Sequence, residues 1–199
     1  MAGPLQIEFV QSAAKVAQLP ASERELALVG RSNVGKSSLL NAIANRKKLA
    51  HTSKTPGATK LLNLFSVAGV GPDRYLVDLP GYGFAKVSAN ERARWQSMIE
   101  GYLTERETLA GVLLLIDGAV GPTDLDLQTL EWLRYIDVPV HPVVTKIDKV
   151  RPSKSKGRRA EIVERLAVPK ADITWVSAEK GTGIAELRTR IAELLRAED

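Results

Sequence analysis

Eight residues restrict what this chain can fold into more than any others. Gly30, Arg31, Ser32, Asn33, Val34, Gly35, Lys36 and Ser37 spell G-x-x-x-x-G-K-S. Such a loop curls backbone N–H groups around phosphate oxygens, and the dipole of the helix that follows points its positive end at the same oxygens. The lysine adds charge at the β and γ phosphates, and the serine hydroxyl ligates Mg²⁺. The flanks agree. Glu25 to Gly30 is a short apolar run ending in glycine, and Leu39, Leu40 and Ile43 recur at helical spacing. At ordinary residue frequencies the pattern arises by chance in roughly one chain of this length in a hundred. A plain glycine-rich turn is therefore a poor alternative.

The rest of the chain repeats strand and helix. Leu61 to Val67 and Arg74 to Leu79 read as two strands, joined as a hairpin through Gly69 to Pro72. Ser88 to Glu91 has the form of a capping box, ahead of a helix with Trp95, Met98, Ile99, Tyr102 and Leu103 on one face. Gly111 to Asp117 is another interior strand, and Pro122 to Asp124 opens a helix. Val138 to Thr145 and Ile173 to Ser177 are further strands, and Ile184, Leu187, Ile191, Leu194 and Leu195 stripe a last helix. This alternation predicts an α/β fold: one P-loop domain with a mostly parallel six-stranded sheet and helices on both faces. Residues 25–199 make up that domain. Residues 1–24 form an N-terminal extension, in which Ile7 to Val10 can add a seventh strand at the sheet edge.

The 199 residues include no cysteine, which excludes disulfides and Cys-ligated zinc. His51 and His141 lack metal-ligand spacing. The first residues lack the basic start and apolar run of a signal peptide, and the longest apolar stretch, Val112 to Ile116, is too short to span a bilayer. We expect a cytoplasmic protein without a membrane partner. The formal charge of +5 favours anionic partners. Lys146, Lys149, Arg151, Lys154, Lys156, Arg158 and Arg159 stand against one acid, Asp148, and Arg46 to Lys48 form a second cluster. These runs are either a solvated face or a surface for RNA phosphates, since phosphate contacts need charge rather than a fixed motif.

Two further motifs end strands. Asp78, Leu79, Pro80 and Gly81 spell D-x-x-G. An aspartate there can hold the water shell of Mg²⁺, and a glycine N–H can meet a γ-phosphate and sense its loss. Thr145, Lys146, Ile147 and Asp148 spell T-K-x-D. A carboxylate there accepts two hydrogen bonds from guanine N1–H and its 2-amino group, a donor pair adenine lacks, and the lysine stem can lie along the base. That speaks against a P-loop kinase or ATPase. Ser177 and Ala178 end the sixth strand, where a backbone N–H can reach guanine O6.

The wording GRSNVGKSSLLNA, TPGATKLLN, DLPGYGFAKVS and TKIDK resembles the EngB family of bacterial ribosome-biogenesis GTPases, over nearly the whole chain. The resemblance implies that Gly30 to Ser37 bind the phosphates of GTP or GDP and that Ser37 binds Mg²⁺. It implies that Thr59 is a second Mg²⁺ ligand present only with GTP, and that Gly57, Ala58, Thr59, Lys60 and Leu61 line the nucleotide. Asp78 to Gly81 begin the second switch, and Thr145 to Asp148 with Val176, Ser177 and Ala178 hold the base. Lys36, Thr59, Gly81 and Asn33 are the catalytic candidates. The family also implies a monomeric switch that assists assembly of the large ribosomal subunit, contacting it or its rRNA through basic surface, and a link to division and septation. The alternative is a GTP-regulated scaffold for a division protein.

Two positions depart from the wider GTPase pattern. Thr145 replaces the common asparagine of N-K-x-D, which leaves one base-loop hydrogen bond open. Tyr82 stands where many GTPases place a water-orienting glutamine, so unaided hydrolysis should be slow. In related GTPases an asparagine at the Asn33 position helps hold K⁺ near the phosphates; the plain alternative is a loop residue chosen for its backbone. Arg31 reads as a solvent-facing loop side chain, and Trp95, Trp132 and Trp175 as packed or half-buried aromatics.

Overall fold

The computed structural model describes residues 3–50, 61–82 and 89–196; in the last stretch the side chains described are those of Ala93 and of residues from 96 onward. Seven strands form one sheet in the order β1-β3-β4-β2-β5-β6-β7. They are β1 (Gln6–Ala13), β2 (Arg24–Gly30), β3 (Leu62–Ala68), β4 (Arg74–Asp78), β5 (Leu109–Asp117), β6 (Val140–Thr145) and β7 (Thr174–Trp175). The helices are α1 (Lys36–Ala44), α2 (Ala89–Glu105), α3 (Asp124–Tyr135), α4 (Pro152–Leu166) and α5 (Ile184–Arg196). Strands β4, β2, β5, β6 and β7 run parallel. Strand β3 turns back on β4 as the expected hairpin, with Asn63 opposite Asp78, and β1 pairs antiparallel with β3 at the edge.

Period-two alternation explains the layers. Leu26, Leu28, Leu113, Leu115 and Val143 pack with Leu39, Leu40 and Ile43 of α1 and Leu187, Ile191 and Leu195 of α5. Their neighbours Ala27, Val29, Val112, Leu114, Ile116 and Val144 face the other way, onto Tyr102 and Leu103 of α2, Leu130 and Leu133 of α3, and Ile162 and Leu166 of α4. Each such leucine, isoleucine or valine contributes about 1.5–3 kcal/mol by leaving water. Trp132 and Trp175 are half-buried against this second layer. Trp95, like the serine of the Ser88 capping box and the loop at 51–60, lies outside what is described.

At the amino ends of the strands, buried Glu25 accepts from the Tyr102 hydroxyl at 2.7 Å and from Arg106 at 2.6 Å. The carboxyl ends of the parallel strands meet at the opposite rim. In open α/β sheets ligands bind at that rim.

Two strands fall short of expectation by two residues or more. Strand β6 begins at Val140 rather than Val138, because the Val138 N–H caps α3 on Leu133 O and Pro139 has no N–H to give. Strand β7 is two residues long rather than five: after Val176 N bonds Val144 O, the Ser177 N–H leaves the ladder for Thr182 O at 2.9 Å.

Candidate nucleotide site

The loop from Gly30 to Gly35 leaves the central strand and delivers Lys36 to the start of α1. A Cβ at Gly30 would lie 2.9 Å from Val34 Cγ1 and 3.0 Å from Leu115 O, so the turn closes only over glycine. Lys36 is buried, and burial lowers its pKa against the opposing pull of Asp78. Ser37 follows it, partly exposed.

Asp78 ends β4 beside this loop. Burial pushes its pKa up to about 6, although the Lys36 ammonium and a hydrogen bond with Asn63 act the other way. Its Oδ1 is buried without a hydrogen-bond partner among the described residues. An unpartnered carboxylate oxygen is costly unless a cation or its water completes it. The residues present therefore fit Mg²⁺: the Ser37 hydroxyl as a ligand and Asp78 on the ion's water.

Because the Asp78 pKa is raised on folding, its contribution to stability is full below about 4 and is lost as pH rises through about 6. Asp78→Asn should therefore stabilise the nucleotide-free protein at pH 7.5, by about 3 kcal/mol from this term. The gain should shrink to roughly half at pH 5. Urea unfolding of both proteins at the two pH values checks this; a gap that widens on acidification would refute the assignment.

The base side is built from β6 and the segment after β7. The Thr145 hydroxyl donates to Val34 O at 2.7 Å and lies 3.2 Å from Ile116 O. Threonine thus ties the base loop to the phosphate loop. Lys146 reaches across, its Nζ 2.6 Å from Asn33 O and 2.7 Å from Asp117 Oδ2. Asp148 accepts from the Ser177 hydroxyl at 2.5 Å. Burial opposes its ionisation, but the Ser177 hydroxyl, backbone N–H and Lys149 outweigh it and hold its pKa below the usual carboxylate value. A cavity of about 170 Å³ opens here, lined by Gly35, Leu39, Thr145, Lys146, Asp148 and Ala178 among others.

The structure thus gathers Gly30 to Ser37, Asp78, Gly81, Thr145 to Asp148 and Val176 to Ala178 along one rim. Leu61, just before β3, sits at the same end of the sheet and is 39% exposed. Gly57, Ala58, Thr59 and Lys60 lie outside the described residues. Leu79 needs correction: its side chain is fully buried in the core and only its backbone borders the site. Ile147 packs likewise against the second layer. Arg31 also needs correction. It does not face solvent; its Nε lies 3.1 Å from Asp126 Oδ2, with the arginine side chain 23% exposed and the aspartate fully buried.

Residues 25–146 match a family described as "50S ribosome-binding GTPase". A "Probable GTP-binding protein EngB" of Pelotomaculum thermopropionicum is 50% identical over 182 residues, covering 90% of each chain. This chain belongs to the EngB family. It is a GTPase, with the GTP-binding fold of that family. The EngB protein of Citrifermentans bemidjiense is 45% identical, covering 96% of this chain and 88% of its own. A crystal structure of a probable GTP-binding protein engB superposes with a TM-score of 0.69 at 24% identity, over 86% of this chain and 98% of that one. Era in complex with MgGDPNP and nucleotides 1506–1542 of 16S ribosomal RNA superposes with a TM-score of 0.69 at 28% identity, over 90% of this chain and 59% of that one. Among the described residues no helix is long and apolar enough to cross a membrane.

Motif spacing missed Asp117, which ends β5 and holds Lys146. It also missed Ser38 and Leu39, which line the cavity, and Asp126. Asp117 carried a faint signal, as an acid ending an apolar strand next to the T-K-x-D strand.

Proposed function

We propose that this protein is a Mg²⁺-dependent GTP switch of the cytoplasm that assists assembly of the large ribosomal subunit. The observation that carries the reading is the joining of two recognition elements in one cleft: Thr145 and Lys146 bond the phosphate loop itself, so the Asp148 carboxylate stands at a fixed distance from it. A base and its phosphates are thereby read together. In this reading Gly30 to Ser37 hold the phosphates, Asp148 reads guanine, and the Ala178 N–H reads its O6. Ser37 and Thr59 would ligate Mg²⁺, and Asp78 would hold one of its waters. The description "50S ribosome-binding" supports the subunit as partner, and Era, part of which shares this fold, has been solved in complex with nucleotides of 16S ribosomal RNA.

Hydrolysis by the isolated protein is slow, about 10⁻⁴ s⁻¹, because no water-orienting glutamine follows Gly81 and the Tyr82 hydroxyl is engaged by Asp126. K⁺ near Asn33 or contact with the subunit supplies the missing charge.

The contact surface is α4 and the turn before it. Among the described residues Arg151, Lys154 and Lys156 are exposed without an ion-pair partner, whereas Arg158 is bound to Glu161 and Lys149 to Glu179. Reversing the three free charges to glutamate should weaken association with purified large subunits by more than about tenfold, and should lower the salt dependence by roughly 0.7–0.9 per lost phosphate contact. GDP affinity should stay the same, since none of the three lines the cleft. Co-sedimentation with large subunits, with a non-hydrolysable GTP analogue or with GDP, tests the proposal. Binding favoured by the GTP analogue and lost in the variant supports it. Capture of a division protein with no subunit binding would favour the scaffold alternative.

A further inference from the structure

Asp126, on the first turn of α3, is fully buried, and a buried carboxylate persists only with partners. Its Oδ2 accepts from the Thr123 N–H and hydroxyl, each at 2.8 Å, and faces Arg31 Nε. Its Oδ1 accepts from the Tyr82 hydroxyl at 2.8 Å. Arg31 belongs to the phosphate loop and Tyr82 follows Gly81. One carboxylate on a third element therefore joins the two segments between which a terminal phosphate must fit.

The backbone is tied as well. Tyr82 N–H donates to Gly30 O at 3.3 Å, and Tyr82 O accepts from Ser32 N–H at 3.1 Å and the Ser32 hydroxyl at 3.2 Å. These bonds extend the β2–β4 pairing into the phosphate loop. They bring Gly81 against that loop: a Cβ on it would lie 3.0 Å from Ser32 N and 3.1 Å from Lys36 Nζ. The lysine must meet both β and γ phosphates. Gly81 thus lies in close contact with the Ser32 backbone and the lysine ammonium, so a phosphate entering between Gly81 and the loop has to part them.

We propose that Tyr82, anchored on Asp126, is a specificity-determining residue that sets this protein's preference between diphosphate and triphosphate: the anchored arrangement accepts GDP, and GTP must draw Gly81 and Tyr82 away from Ser32. This inference rests on the GTPase reading of the cleft. A ligand that binds against a competing arrangement loses the free energy of displacing it, and one indifferent to that arrangement loses nothing.

The test is the ratio of affinities for GDP and for GppNHp, a non-hydrolysable GTP analogue, by displacement of a fluorescent guanine nucleotide. Tyr82→Phe keeps the ring and removes the hydroxyl's bond to the carboxylate along with its interaction with Thr129, so the ratio should move about tenfold towards GppNHp. Asp126→Asn keeps an acceptor for the tyrosine hydroxyl but no charge, and should move the ratio in the same direction by less. Because each variant is its own reference for the two ligands, a general loss of stability lowers both affinities and leaves the ratio where it was. An unchanged ratio in Tyr82→Phe, or a shift towards GDP in either variant, would overturn the inference while leaving the cleft's assignment intact. A parent protein that binds neither nucleotide would overturn both.

Discussion

Replacing Asp148 by asparagine should lower the affinity for GDP on the order of a thousandfold and raise that for xanthosine diphosphate. The carboxylate is buried to within a tenth and held ionised by the Ser177 hydroxyl and Lys149. Against guanine it meets two donors, and charge-assisted hydrogen bonds are roughly twice as strong as neutral ones. Asparagine presents a donor of its own where guanine also donates, so one contact becomes a repulsion. Xanthine carries an oxygen at that place and accepts the new donor. The volume is unchanged, and the amide oxygen still accepts from Ser177, so unfolding should barely move. Equilibrium titration with the two diphosphates checks this. Undiminished guanine selectivity would mean that another group reads the base.

The second large effect is predicted at Gly183, which no nucleotide touches in this account. Its φ is +70°, and a Cβ there would lie 2.0 Å from the Trp175 carbonyl oxygen and 3.0 Å from the carbonyl carbon. Those atoms are backbone and cannot swing aside as a flexible side chain would. Alanine must therefore displace either the start of α5 or the segment from Trp175 to Ser177. Left-handed backbone in a non-glycine residue and a clash of this depth together should cost about 3 kcal/mol or more. The second displacement also moves Ser177 away from Asp148. Gly183→Ala should accordingly lose stability in urea and bind GDP more weakly, with saturating GDP recovering part of the loss by mass action. A stability change under about 1 kcal/mol would contradict the packing at this turn.

The phosphate loop, Asp78 and Asp148 were legible because each is a short-range statement: a residue type at a set distance from the end of an apolar strand. The same local logic yields α1, α2, α3, α5 and all seven strands, including β1, where Ile7 turns its side chain into the core while Phe9 and Val10 stay exposed. Helix α4 carries no apolar stripe legible from spacing, since Ile162 and Leu166 are its only buried residues beneath the basic run. What local spacing does not encode is which side chains meet across the rim. Arg31 and Asp126 pair through the crossing of the phosphate loop with α3, and nothing near either residue announces the other. Lys146 finds Asp117 because β5 and β6 are neighbours in the sheet, with Asp117 opposite Thr145. Thr145 stands where asparagine is common, and spacing does not show that its hydroxyl meets the Val34 carbonyl. The place of Tyr82 followed only from the sheet, since its hydroxyl serves α3 and its backbone serves Ser32.

A guanine nucleotide with Mg²⁺ is the ligand proposed for this rim. The most direct test is competition at equilibrium: a fluorescent GDP bound to the purified protein, displaced by GTP, GDP or ATP, with and without Mg²⁺. A site built on donor pairing can discriminate by ~10⁴. GTP and GDP should therefore displace the probe, ATP should fail at concentrations at least about a hundredfold higher, and removing Mg²⁺ should weaken the triphosphate. Displacement by ATP as readily as by GTP would contradict that assignment.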